Sequence, residues 1–100
     1  MIAKIFIKRK FKQGNEKQIV SILNQMRGAV MSQPGYISGE TLMNYEDPHT
    51  FAVISTWQNI EAWHKWKKST ERKQIESMLE VFQVGFTVYE EYLAGFTPKQ

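Results

Sequence analysis

The stretch Phe51-Ala52-Val53-Ile54-Ser55-Thr56-Trp57-Gln58-Asn59-Ile60-Glu61-Ala62-Trp63-His64-Lys65-Trp66 carries all three tryptophans of the chain and changes its period half-way. Phe51 to Trp57 is a run of β-branched and aromatic residues without a breaker, which is the composition of a strand. Asn59 is a favoured N-cap, and from Ile60 onward the spacing is helical. Trp63 and Trp66 lie three apart and therefore share one face of that helix. A strand that ends in Trp and feeds a helix with two more concentrates aromatic area at one sheet edge. That area is either an unusually heavy core or the wall of a pocket.

Working outward, residues 2–8 read as a first strand, and Gly14-Asn15 breaks it ahead of a helix over about 15–31. Ile19, Ile22, Leu23, Met26 and Val30 give that helix an apolar stripe at i, i+3, i+4 spacing. Gln33-Pro34-Gly35 stops it. Tyr36 to Glu46 and Thr50 to Trp57 form a hairpin through the turn Asp47-Pro48-His49. The second helix runs from Ile60 to about Lys68. Ser69-Thr70 caps a further turn or two of helix carrying Ile75, Met78 and Leu79. Phe82 to Leu93 is the last strand. The chain is thus expected to be a single α+β domain over residues 1–100, with its core at about 2–93 and a tail at 94–100. Its βαββαβ order is that of ferredoxin-like folds with a four-stranded antiparallel sheet.

One hundred residues suffice for one core. No apolar run approaches the roughly 20 residues that cross a bilayer, which argues against a membrane protein. The start, Met1 to Lys8, has Lys4 inside its only apolar stretch and reads as a strand rather than a signal peptide. With no cysteine, thiolate metal sites and disulfides are excluded, and the expected compartment is cytoplasmic. A net charge of +3 is too small to imply nucleic acid. The third strand also lacks the glycine and basic start of RNA-recognition domains that share this element order. The cluster Lys8-Arg9-Lys10-Phe11-Lys12 could meet phosphates or an acidic substrate, but such a run is more often a solvated strand end and loop.

The strands do not leave one sheet face polar. Ile5 and Ile7 oppose Ile2 and Phe6; Phe51, Val53 and Trp57 oppose Ala52 and Ile54; Phe82, Val84, Phe86 and Val88 oppose Val81, Tyr89 and Leu93. Two helices cover only one face, so the other is expected to be shielded by a second copy in a symmetric homodimer.

Three segments resemble one family: Pro34-Gly35-Tyr36-Ile37-Ser38-Gly39-Glu40, Phe51 to Trp57, and Glu61-Ala62-Trp63-His64-Lys65-Trp66-Lys67-Lys68-Ser69. They are similar to the antibiotic biosynthesis monooxygenase (ABM) domain, over nearly the whole chain. The resemblance implies a protomer in a dimeric α+β barrel, with a cavity between sheet and helices. It also implies an oxidoreductase, a monooxygenase acting without metal or flavin on a small aromatic or quinone-type compound with O2. The alternative is a non-catalytic dimer that holds a small hydrophobic ligand. Haem-degrading members carry a ligating His and a first-strand Asn. Those positions fall at Glu76 and Ile7 here, so an axial imidazole is missing and haem degradation is disfavoured.

The resemblance makes Trp66 the candidate catalytic residue, since the family motif places a pocket-facing Trp there and its indole N–H is a donor. Trp63 is a candidate for stacking on a substrate ring, Tyr36 for holding a phenolate oxygen, and Met43 and Phe6 for adaptable apolar lining. His64 is a candidate base, since imidazole is the side chain most often used for that role. Asn44, which shares one strand parity with Glu40, completes the substrate-binding set. No metal and no cofactor are expected.

Overall fold

Strict alternation in the first strand sets the layering. In β1 (Ala3–Lys10), Ala3, Ile5, Ile7 and Arg9 are buried, while Lys4, Lys8 and Lys10 point to the opposite, open face. The computed structural model describes residues 1–95. The remaining elements are α1 (Glu16–Val30), β2 (Tyr36–Met43), β3 (Thr50–Trp57), α2 (Ile60–Lys67), α3 (Thr70–Glu80) and β4 (Val88–Leu93). The sheet order is β2-β3-β1-β4 with every neighbouring pair antiparallel. This is the expected ferredoxin-like α+β fold.

Four elements differ from the sequence reading: β1 runs on to Lys10 and β2 stops at Met43 rather than Glu46, and the last strand and last helix also change. The last strand begins at Val88, not Phe82. Phe82 to Thr87 instead form a connection that pairs just beyond the end of β1, through the isolated Phe11–Gln83 bridge. Gly85 takes a φ of +78° there and interrupts the alternation that Val84, Phe86 and Val88 mimic. The helix after Ser69 spans eleven residues rather than a turn or two. Ser69 caps it by accepting a 3.2 Å hydrogen bond from the Arg72 backbone N–H. Asn59 caps α2 as expected, accepting from the Ala62 N–H at 2.8 Å. The tail from Phe96 onward lies outside the described residues.

The principal core cluster joins Ala3, Ile5 and Ile7 of β1 to Trp57, Trp63 and Trp66. A smaller one joins Phe11, Ile19 and Leu79. The open sheet face carries Phe6, Ile54, Leu42, Val88 and Tyr92 among Lys4, Lys8 and Glu90. It is mixed rather than wholly apolar, because Phe82, Val84 and Phe86 are not part of the strand.

One buried polar network ties α3 to β1. Arg9 donates from Nε and Nη2 to the two carboxylate oxygens of Glu76, at 3.1 and 2.7 Å. Arg72 Nη2 lies 3.4 Å from the same carboxylate and donates to the Tyr89 hydroxyl at 2.9 Å. The Thr87 hydroxyl donates to Glu76 at 3.0 Å. Arg9, Arg72 and Glu76 are each more than nine-tenths buried. Burial pushes the Glu76 carboxyl up. The hydrogen bonds and charge of Arg9, with the charge of Arg72, outweigh it and hold the group below its ordinary value of 4.5.

A carboxylate whose folded pKa is lowered stabilises the fold above its unfolded value and loses that contribution as pH falls through the folded one. The wild-type unfolding free energy should therefore decline as acid is added below pH 4.5. Glu76→Gln should lose about 3–5 kcal/mol at neutral pH, because two guanidiniums are left buried against a neutral amide, and should flatten that acid dependence. Urea melts across pH read both effects. At Gly35, φ is +85° and an added Cβ would lie 2.6 Å from the Ala62 Cβ, whereas Gly14, at φ +92°, has open space. Gly35→Ala should cost about 2–4 kcal/mol and Gly14→Ala about 1 kcal/mol in the same assay.

Candidate functional site

α1 does not seat its whole apolar stripe on the sheet. Only Ile19 is fully buried, and Ile22, Leu23, Met26 and Val30 are half-buried. The space left between α1 and the inner sheet face is a cavity of about 280 Å3. For scale, a dry cavity of about 150 Å3 already admits benzene. Val20, Leu23, Met26 and Val30 form its roof. Ile7, Phe51, Val53 and Trp57 form its floor, and Trp63 and Trp66 close one end.

The three indoles serve different ends. Trp57 Nε1 donates to the Ser55 hydroxyl at 3.1 Å, and Trp63 Nε1 donates to Glu91 at 2.6 Å. Trp66 Nε1 has no partner among the described residues, although the residue is only 3% exposed. Every fully buried side-chain nitrogen and oxygen among those residues does have a partner. The Trp66 N–H therefore keeps access to open space, and Trp66 is one of the residues that line the cavity. Helical spacing sets this outcome. Trp63 and Trp66 share a face but differ in azimuth, so Trp63 reaches over to Glu91 on β4 while Trp66 looks inward.

Trp66, Trp63 and Tyr36 are the candidates that the fold brings together on the cavity. Tyr36 stands edge-on to Trp57 with ring centres 5.3 Å apart. Gly39 leaves room for its hydroxyl, since a Cβ there would meet that oxygen at 2.5 Å. Burial raises the Tyr36 phenol above its ordinary value, against the opposing charge of Arg27, so the hydroxyl stays protonated and able to donate.

The other candidates lie elsewhere. Phe6 falls between Ile5 and Ile7 in a strict alternation, so it sits on the open sheet face, edge-on to Tyr92 at 5.4 Å. Met43 has inner parity but ends β2 beyond the cavity and is largely exposed. Asn44 is committed to the hairpin turn. Its side-chain oxygen accepts from the Glu46 and Asp47 backbone N–H groups, both at 2.9 Å. His64 is on the outer side of α2, with Nε2 3.0 Å from a Glu91 oxygen. Burial raises the Glu91 carboxyl, but hydrogen bonds with His64 and Trp63 leave it lowered overall.

Arg9 and Arg72 also line the cavity, and the sequence reading missed both. Arg9 is the fourth inner residue of β1 after Ala3, Ile5 and Ile7, so strand parity alone points it inward. Its basic neighbours Lys8 and Lys10 concealed that. Arg72 carries no such signal. It comes to the site because Ser69 starts α3 where it does, laying the guanidinium carbon 5.3 Å from the ring centres of Trp63 and Tyr89.

Comparison with known proteins places the architecture. A conserved protein from Methanosarcina mazei Go1 superposes with a TM-score of 0.85 at 14% identity, covering 92% of this chain and 91% of that one. SnoaB, a cofactor-independent oxygenase from Streptomyces nogalater, gives a TM-score of 0.80 at 14% identity over 100% of both chains. A solved antibiotic biosynthesis monooxygenase gives 0.83 at 12% identity, covering 92% of this chain and 97% of that one. At these identities the likeness shows the fold. No curated protein sequence matches the chain. Residues 2–77 match the family model described as antibiotic biosynthesis monooxygenase. The chain therefore belongs to the antibiotic biosynthesis monooxygenase (ABM) family.

Proposed function

We propose that the protein is a cofactor-independent monooxygenase acting on a small aromatic or quinone-type compound held between α1 and the sheet. The observation that carries this reading is the Trp66 indole N–H, the one tryptophan donor without a partner among the described residues, in the wall of an apolar cavity. Phe51, Val53, Met26 and the indoles suit a flat apolar ring system. A phenol or anthrone needs no bound redox group, because its deprotonated form can itself reduce O2. At an anthrone-type CH2, loss of a proton gives the enolate, and one electron passes from it to O2. Recombination forms the C–O bond of a hydroperoxide, and loss of water leaves a C=O. One oxygen atom of O2 thus ends in product and the other in water. Trp66 supports the enolate oxygen, and the apolar walls exclude bulk water from the radical pair.

The family membership and the fold shared with SnoaB support this reaction class. Oxygen uptake with anthrone tests it. Uptake should exceed autoxidation, and Trp66→Phe should lower the turnover by about 100–1000-fold, as loss of one oxyanion donor does. Anthrone binding without enzyme-dependent uptake would replace the oxygenase with a non-catalytic carrier of small hydrophobic molecules.

The same reading includes a homodimer closed over the open sheet face. Leu42, Val88 and Tyr92 are 42–53% exposed there. Leaving several such side chains wet costs on the order of several kcal/mol at about 25 cal/mol per Å2. Sedimentation at micromolar concentration should return twice the chain mass. Ile54→Lys combined with Val88→Lys should return the single-chain mass. A wild-type particle of single-chain mass would overturn the dimer.

A further inference from the structure

The cavity carries more positive charge than its surroundings neutralise. Arg9 and Arg72 are both 4% exposed and both line it, and among the described residues the one buried carboxylate that meets them is Glu76. Glu76 is already saturated: Arg9 takes both oxygens and Thr87 adds a third donor. Glu91, the next carboxylate on the inner face of β4, is committed to Trp63 and His64. At the rim, Arg27 and Glu40 are exposed and of opposite sign, so they leave the interior balance unchanged. Arg72 uses only Nη2 in described hydrogen bonds, to Tyr89 and toward Glu76. Its Nε and Nη1 have no partner among the described residues. Since no fully buried nitrogen there lacks one, these donors reach accessible space. A guanidinium stacked on Trp63 and Tyr89, with free donors in an apolar enclosure, is poorly solvated and geometrically fixed.

We infer that the natural ligand of this cavity is an aromatic anion, carrying a carboxylate or an equivalent planar oxyanion that Arg72 holds while the ring system lies against Trp63, Phe51 and Val53. The inference rests on the cavity being the substrate site, and it narrows the substrate class. A planar oxyanion would take up the unused donors of Arg72 in the side-on geometry guanidinium favours, and would balance the surplus buried charge. Arg9 supports Arg72 indirectly: it holds Glu76 in place, so that Glu76 aligns Arg72 without consuming it.

Calorimetric titration with 2-naphthoate and with 2-naphthamide, its neutral counterpart of nearly the same shape, tests the assignment. Naphthoate should bind the wild-type protein at least about tenfold more tightly than naphthamide, and the preference should change little with added salt because the site is buried. Arg72→Gln should reduce the preference to within about threefold while leaving the naphthamide affinity nearly unchanged. Equal affinity of the two probes for the wild-type protein would overturn the anionic assignment and leave the aromatic cavity standing. A naphthoate preference that survives Arg72→Gln would overturn the role of Arg72. Binding of neither probe would overturn the cavity as an aromatic site altogether. The wild-type comparison decides the anion question even if the substitution unfolds the chain.

Discussion

Glu76 brings one negative charge to a place where two guanidiniums have already left water, and much of the structure follows from that arrangement. Arg9 is buried because it occupies the inner side of β1, and Arg72 because α3 begins at Ser69. Neither could remain there uncompensated. By accepting both Arg9 donors while lying against Arg72, the Glu76 carboxylate joins the central strand to the last helix across 67 residues of chain. The junction is polar, hydrogen-bonded throughout, and directional in a way that apolar contact is not. It sets where α3 stands, and α3 in turn contacts α1.

With α3 held in this way and α2 anchored by Trp63 and Trp66, α1 spans a gap rather than closing it. The consequence is a space with an apolar roof and floor, an aromatic end, and a cationic corner. Of the tryptophan donors, two are spent on internal partners, which keeps the indoles of Trp57 and Trp63 rigid. The third, Trp66, has no such partner among the described residues and lines the same space. Stability and site chemistry therefore share residues: the same indoles fill the core and shape the pocket.

The element order, the Asn59 cap, the hairpin and the aromatic wall were all legible in the chain, because each rests on local spacing or cap chemistry. Misreadings arose where local pattern and tertiary context disagree. Phe82, Val84 and Phe86 alternate like a strand, yet Gly85 at positive φ turns the backbone out of the sheet. Asn44 has the chemistry of a binding residue but lies close enough to Glu46 and Asp47 to be consumed by its own turn. Phe6 has the right residue type on the wrong parity. Arg9 has the right parity, hidden by the charges on either side of it.

By itself the sequence determined the ferredoxin-like element order, through periodicity and capping, and its three quoted segments carried the resemblance to the family to which the chain belongs. Periodicity and capping act within a few residues, and they survive in the linear chain. Only the tertiary structure decided which indole N–H has no partner among the described residues and that Arg9 and Arg72 meet over the Glu76 carboxylate. Those facts depend on distances between residues far apart in the chain, and nothing in local spacing encodes them.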